Sequence, residues 1–204
     1  MQILSTTNTT LEQCLTWAKN KKATDLFISI VPILYNTAVK EGVNPLLVVA
    51  QCAKETGYCR FGGVLDASYK NTCGLKIPQG GSCTDPNAHM RFDSWEEGAL
   101  AQVEHLALYA GKEGYPLDNP KDPRHFDYLF GTCKTVHELS GKWAGGTYGE
   151  DLIKLIREIE QTPAENKADE KDKEIEELKN KIKEYESDKE ILKKKITEIL
   201  ELIS

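Results

Sequence analysis

The chain has 204 residues, 28% of them charged, and a formal net charge of -6. That length suits one compact domain plus an appendage, and the acidic balance offers no electrostatic footprint for nucleic acid. The N-terminal MQILSTTNTTLEQ has neither a basic region nor a continuous apolar run, and no apolar stretch approaches the ~20 residues that span a bilayer, so neither a secretory leader nor membrane insertion is expected.

TTLEQCLTWAKNKK places Leu11, Leu15 and Ala18 at helical spacing behind a threonine cap and predicts the first helix. DLFISIVPILYNTAVKEG predicts a second, irregular around Pro32 and stopped by Gly42. Asn44-Pro45 opens a third with proline in its first turn; Leu46, Leu47, Val49, Ala50 and Ala53 supply its buried side, and Gly57 limits it. Over residues 61–93, glycine and proline punctuate short segments such as TCGLKI and HMRF, the pattern of loops and a small hairpin inserted among helices. FDSWEEGALAQVEHLALYAG returns to helix, with Ser94 and Glu97 at capping-box spacing. A loop rich in proline and aspartate then leads through FDYLFG and TVHELSGKW to YGEDLIKLIREIE, an amphipathic helix.

Composition changes after Glu160. Residues 1–160 hold all the Trp, Cys and His; residues 161–172, QTPAENKADEKD, read as a linker in which Pro163 ends the preceding helix. Over 173–204, Ile175, Leu178, Ile182, Tyr185, Lys189, Leu192, Ile196, Ile199 and Ile203 follow one another by alternating three- and four-residue steps. This is the a/d repeat of a coiled coil, with Lys189 at an a position where a polar residue sets register and oligomer state. A single amphipathic helix folded back on the main domain is the alternative. The narrow stripe favours self-association, as a dimer or higher.

The six cysteines, Cys14, Cys52, Cys59, Cys73, Cys83 and Cys133, match no common zinc or redox spacing. Buried thiols are expected, with a Cys73–Cys83 bridge across a glycine loop as the alternative. The four histidines have no metal-ligand spacing, so no metal or organic cofactor is implied. A thiol nucleophile, Cys52 or Cys59 with His89 or His105, can be drawn but has little support.

Glu55, in VAQCAKETGYCR, ends a very apolar helix. Partial burial and the negative end of the helix dipole both disfavour a carboxylate there. A raised pKa is what a general acid near neutral pH requires. The alternative is an exposed helix-end glutamate beside Lys54. Tyr58, Tyr69, Trp95, Trp143 and Tyr148 are aromatic candidates for a sugar-binding cleft, each of which can equally serve the core.

NPLLVVAQCAKETGYCRFG, KNTCGLK, RFDSWEEGALAQVEHL and LSGKWAGGTYGEDLIKLI, in that order, resemble the blocks of the bacterial and phage glucosaminidase family, glycoside hydrolase family 73. The resemblance covers about residues 26–159. It implies a mainly α, lysozyme-like catalytic domain with a small β/loop lobe over a cleft, and cleavage of peptidoglycan after N-acetylglucosamine. Glu55 matches the general acid of the A-x-E-[ST]-G block. KNTCGLK sets Asn71, Gly74 and Lys76 along the cleft floor, with Cys73 where an aromatic is usual. FDSWEEG makes Asp93, Ser94 and Glu97 organisers of a helix start. Tyr58, Tyr69, Asn71, Lys76, Trp143 and Tyr148 are the expected substrate-binding residues.

The sequence departs from the family pattern at WAGGTYG. Trp143 stands where a tyrosine is usual, Tyr148 is retained only approximately, and an indole can stack on a sugar but cannot donate a phenolic proton. The second carboxylate is open between Asp66 and Asp85; an inverting enzyme would hold it some ~6.5–9.5 Å from the acid. The same fold also serves muramidases and lytic transglycosylases, and a non-catalytic wall-binding protein is a further alternative. The resemblance implies a bacterial-wall partner and an endolysin-like life: synthesis in the host cytoplasm, then action on the wall after release at lysis.

Overall fold

The computed structural model describes the backbone of residues 1–164 and 167–202 and the side chains of residues 1–164 and 175–201. It comprises two units, Met1–Ala164 and Glu165–Ser204. The first is mainly helical: α1 (Leu11–Asn20), α2 (Asp25–Lys40), α3 (Pro45–Thr56), α4 (Trp95–Ala110) and α5 (Tyr148–Glu160).

Local chemistry sets the helix starts. Thr10 and Gln13 form a reciprocal capping box on α1, Thr24 caps α2, and the Asn44 side chain accepts from both Leu46 and Leu47 N–H at the start of α3. Ser94 accepts from Glu97 N–H while the Glu97 carboxylate accepts from Asp93 N–H, so this trio does organise the start of α4. α2 runs through Pro32 without interruption, unlike the irregular helix expected. Its apolar face, led by Phe27, Ile30, Val31 and Leu34, is buried, and that packing outweighs the helix-breaking tendency of one proline.

α3 is the axis of the unit. Leu46, Leu47, Val48, Val49, Ala50, Cys52 and Ala53 are all wholly buried, so the helix is covered on every side rather than on the one face that periodicity suggests. It packs between α2 and α5, and α4 lies against α2. Each buried Leu or Val contributes roughly 1.5–3 kcal/mol relative to exposure.

Residues 61–93 form the small lobe. Its β content is one antiparallel bridge, Lys76 with His89, flanked by Ile77 N–H to Ala88 O at 3.1 Å and Met90 N–H to Leu75 O at 2.9 Å. Two short 3-10 turns, Ala67–Tyr69 and Pro86–Ala88, complete it. Leu75, Cys73 and Phe92 make a small separate core with Ala101 of α4. The seat on α4 is Gly98: an added Cβ there would lie 1.9 Å from Lys70 O, and its own carbonyl accepts from Thr72 Oγ1 at 3.1 Å.

The loop between α4 and α5 is pinned by buried Asp122, which accepts from His105 Nδ1 at 2.8 Å and His125 Nδ1 at 3.2 Å. His125 Nε2 accepts the Leu117 N–H at 2.9 Å, which fixes the ring proton on Nδ1. All six cysteines are free thiols; Cys83 is exposed and Cys73 buried, so the alternative Cys73–Cys83 bridge is not formed.

The second unit is one helix, α6 (Lys167–Leu202). It begins inside the stretch read as linker, because ADEKDKE contains only residues compatible with helix and no proline after Pro163. Its apolar stripe is exposed: Ile175 47%, Leu178 53%, Ile182 56%, Tyr185 72%, Leu192 60%, Ile196 51% and Ile199 58%. The last a position, Ile203, lies outside the described residues. No helix among the described residues is long and apolar enough to cross a membrane.

Candidate active site

A cleft of about 430 Å³ opens between the C-terminal end of α3 and the small lobe. Glu55 and Trp143 line one part of it, and Asn71, Gly74, Lys76 and His89 of the lobe line another. Residues 61–65 complete the rim, and their direction is set immediately after Glu55. Gly57 closes α3 in the left-handed conformation (φ 58°), and the chain stays left-handed at Tyr58 (φ 59°), Cys59 (φ 57°) and Phe61 (φ 49°). Such residues cost of order 1–3 kcal/mol each and persist only where surrounding bonds impose them. Here Thr56 does so: its hydroxyl donates to Cys52 O at 2.7 Å and accepts from Cys59 N–H at 2.9 Å, while its carbonyl accepts from Phe61 N–H at 3.0 Å.

Glu55 is open to solvent on the cleft side and enclosed by protein on its other sides. Desolvation by that enclosure is the largest influence and raises its pKa above the ordinary glutamate value. Hydrogen bonding from Tyr148, the nearby Trp143 side chain and the charge of Lys54 oppose the shift without cancelling it. Solvent access moderates all of these effects. The Tyr148 hydroxyl donates to Glu55 Oε1, and Lys54 is held aside by Asp151 of α5 at 2.9 Å. Burial and the adjacent Glu55 push the Tyr148 phenol far upward, so it remains a proton-bearing donor.

Tyr148 opens α5, and its place depends on the next residue. A Cβ at Gly149 would stand 2.5 Å from Val136 O and 2.7 Å from His137 O, so only glycine lets α5 dock this close to the turn at His137–Leu139. Gly149 N–H also donates to Ser140 Oγ at 2.9 Å. Trp143 is set from behind by His105, whose ring meets it edge-on at 5.2 Å between centroids.

The remaining sequence-predicted residues divide. Asn71 lines the cleft, but its amide is spent on the loop: Oδ1 accepts from Leu75 N–H at 2.9 Å, and Nδ2 donates to Leu75 O at 2.8 Å and Met90 O at 3.0 Å. Lys76 lines the cleft and reaches Gly81 O at 2.5 Å and Cys83 Sγ at 3.4 Å. Tyr58 is turned away, since its left-handed backbone sends the ring between Trp17 and Phe27, each at 5.6 Å. Tyr69 is buried in the lobe beneath Arg91, its hydroxyl donating to Pro86 O at 3.2 Å. Tyr148 is present as a buried partner of Glu55 rather than as a wall of the cleft.

Neither candidate second carboxylate lines the cleft. Asp66 caps the turn Ala67–Tyr69, and its bonds from the Ser68 hydroxyl and N–H hold its carboxyl below the usual range. Asp85 caps Pro86–Ala88 through Asn87 N–H at 2.9 Å. Among the described residues, Glu55 is the carboxylate that lines the cleft. Sequence reading missed Gln51, one helical turn before Glu55 and bonded to Tyr148. A glutamine inside a wholly apolar run was the signal that could have found it.

The family model for glucosaminidase, described as mannosyl-glycoprotein endo-beta-N-acetylglucosaminidase, matches residues 31–161. A curated relative from Borreliella burgdorferi, described as an uncharacterized protein, is 30% identical over 129 residues, 63% of this chain and 60% of that protein. The chain thus matches less than two thirds of that relative's length. No solved structure matches the chain.

Proposed function

The chain belongs to the glucosaminidase family, and from that premise we propose that it is a peptidoglycan hydrolase, an endo-β-N-acetylglucosaminidase with Glu55 as general acid. The observation that carries this reading is Glu55 itself: a carboxyl at the mouth of the cleft, its pKa raised by enclosure, with Tyr148 donating to one oxygen.

The chemistry follows from those two opposed influences. Enclosure favours the neutral acid and so raises the share of Glu55 that carries a proton to give. With Oε1 occupied by the phenol, that proton sits on Oε2. Protonating the glycosidic oxygen lets the bond to the anomeric carbon break, and the carboxylate left behind is stabilised by Tyr148. As base, that carboxylate can then take a proton from water. Trp143 offers an aromatic face to a sugar ring, and Lys76 a donor to its hydroxyls. Since Asp66 and Asp85 are occupied as caps, assistance by the substrate's N-acetyl carbonyl fits the cleft better than attack by a second carboxylate.

A lone carboxylate also suits a lytic transglycosylase, in which one group serves as acid and base, and this is the second reading. Digesting purified peptidoglycan and analysing the products by mass spectrometry after borohydride reduction distinguishes them. Reduced N-acetylglucosamine ends are expected. Anhydromuramic ends would establish the second reading, and reduced muramic acid a muramidase. Retention of wall clearing by Glu55→Gln would remove Glu55 from the chemistry, and an intact wild type without any cleavage would leave a wall-binding protein.

The exposed stripe of α6 supports self-association, with several catalytic units acting on one insoluble wall and a gain in effective concentration. Sedimentation equilibrium of the full chain tests this, a monomer at all concentrations overturning it. Action on the wall after release at lysis is the localisation we propose, tested by following the protein through fractionated cells before and during lysis.

A further inference from the structure

Behind Glu55 runs a line of buried amides with a single direction. Gln51 of α3 and Gln102 of α4 are both wholly buried. Gln102 Nε2 donates to Val48 O at 3.1 Å and to Gln51 Oε1 at 2.9 Å. Gln51 Nε2 donates to Tyr148 Oη at 3.1 Å, and the Tyr148 hydroxyl donates to Glu55 Oε1.

A phenol can donate or accept. With the Gln51 N–H on its oxygen, the Tyr148 proton is left to Glu55. Turning the Gln51 amide over would reverse that, but Gln102 forbids it, because only Gln51 Oε1 can accept from the Gln102 amide. Turning Gln102 over would in turn set its oxygen against the Val48 carbonyl and Gln51 Oε1 together. The fold accepts a visible penalty for this arrangement: Gln102 Oε1 is buried without a hydrogen-bond partner in the protein. An orphaned amide oxygen has no value to a core that could hold Leu or Met in its place. It is accounted for if the other end of the same amide has a task.

We propose that Gln51, held in one orientation by Gln102, is a positioning residue that commits the Tyr148 hydroxyl to donating toward Glu55. This rests on Glu55 being the proton donor. The groups acting on Glu55 are Tyr148 from α5, Trp143 from the preceding loop and Lys54 from α3 itself, and the buried Cys73 thiol of the small lobe in turn feels the Glu55 charge. Lys76 and His89 share the cleft. Of these, Tyr148 alone is governed by the amide chain, so loss of Gln51 removes one stabiliser of the carboxylate and leaves the others in place.

The test uses full-length Gln51→Met and Gln102→Met, each verified by its melting transition. The Glu55 carboxyl, followed by carbon NMR in the resting protein, titrates at higher pH in Gln51→Met than in the wild type, and in the same direction in Gln102→Met. On peptidoglycan, kcat falls roughly tenfold, less than the ~10²–10⁴-fold that a general acid itself contributes, while KM holds and the basic limb of the pH profile moves upward. Gln51→Met combined with Tyr148→Phe behaves as Tyr148→Phe alone, because both act through one bond. A variant that melts lower but titrates and turns over as wild type would overturn the proposal, as would effects that add in the double variant. If Gln51→Met does not fold, Gln102→Met carries the same comparison. The NMR titration needs no substrate, so a wild type that fails to cleave the wall would end the hydrolase reading while the positioning result is still read.

Discussion

α3 and α6 are both helices with apolar residues at regular intervals, yet they end in opposite environments. Leu46, Leu47, Val48 and Val49 of α3 are wholly buried, whereas Leu178, Ile182, Leu192 and Ile199 of α6 are more than half exposed. The difference lies in how much of the helix surface is apolar. α3 is apolar all round over residues 46–50 and must be enclosed there by its own chain; α6 has one narrow stripe between charged faces, which a second copy can cover without burying the charges. On the proposed function, catalysis belongs to the unit that satisfies itself, and assembly to the helix that does not.

The largest expected effect tests the first half of that contrast. Glu55→Gln should lower wall hydrolysis on the order of 10³-fold, within the range for loss of a general acid, measured by dye release from labelled peptidoglycan. It should also leave the protein more stable at neutral pH. Glu55 has a raised pKa when folded, so the folded state holds its proton more tightly than the unfolded chain does. Stability therefore declines as pH rises from the ordinary glutamate value through the folded one. Melting temperatures measured across pH should show the gain in Glu55→Gln above that window and none below it.

Next in size are two leucines. Leu47→Ala in α3 should cost about 2–5 kcal/mol in denaturant unfolding of the catalytic unit. Leu192→Ala in α6 should leave that transition where it was and shift sedimentation toward smaller species. Equal effects of the two on the catalytic unit would erase the distinction. Gly149→Ala should be milder in stability, about 1–3 kcal/mol, but disproportionate in activity, because the shift it forces falls on Tyr148. The smallest effect is expected from ending the chain at Ala164: turnover of soluble glycan fragments should be unchanged, while retention on insoluble wall in a pelleting assay declines.

Much of this was legible in the sequence because local chemistry dominated there. Thr10, Asn44, Ser94 and Gly57 mark helix ends through bonds their own neighbours complete, and Glu55 stood out as an acid closing an apolar run. What was not legible depended on contacts distant in sequence. Tyr148 becomes Glu55's partner only because α5 packs on α3, and Gln51 acquires its role only through Gln102 on another helix. Tyr58 looked like a cleft residue beside Glu55; its left-handed backbone, which no side chain announces, turned its ring away to pack half-buried against Trp17 and Phe27. Asp66 and Asp85 looked alike as acids in a loop, and each is absorbed by a cap.

The contact at Gly98 has a mechanical consequence. With no side chain between α4 and Lys70 O, and with Thr72 tied to the same glycine, the small lobe rests on the helical body as a fixed wall rather than a jaw. Such a seat resists closure of the lobe on whatever enters the slot. If the proposed substrate is the right one, the fitting falls on the polysaccharide, and short or cross-linked strands and long flexible ones should differ in how readily they are cut.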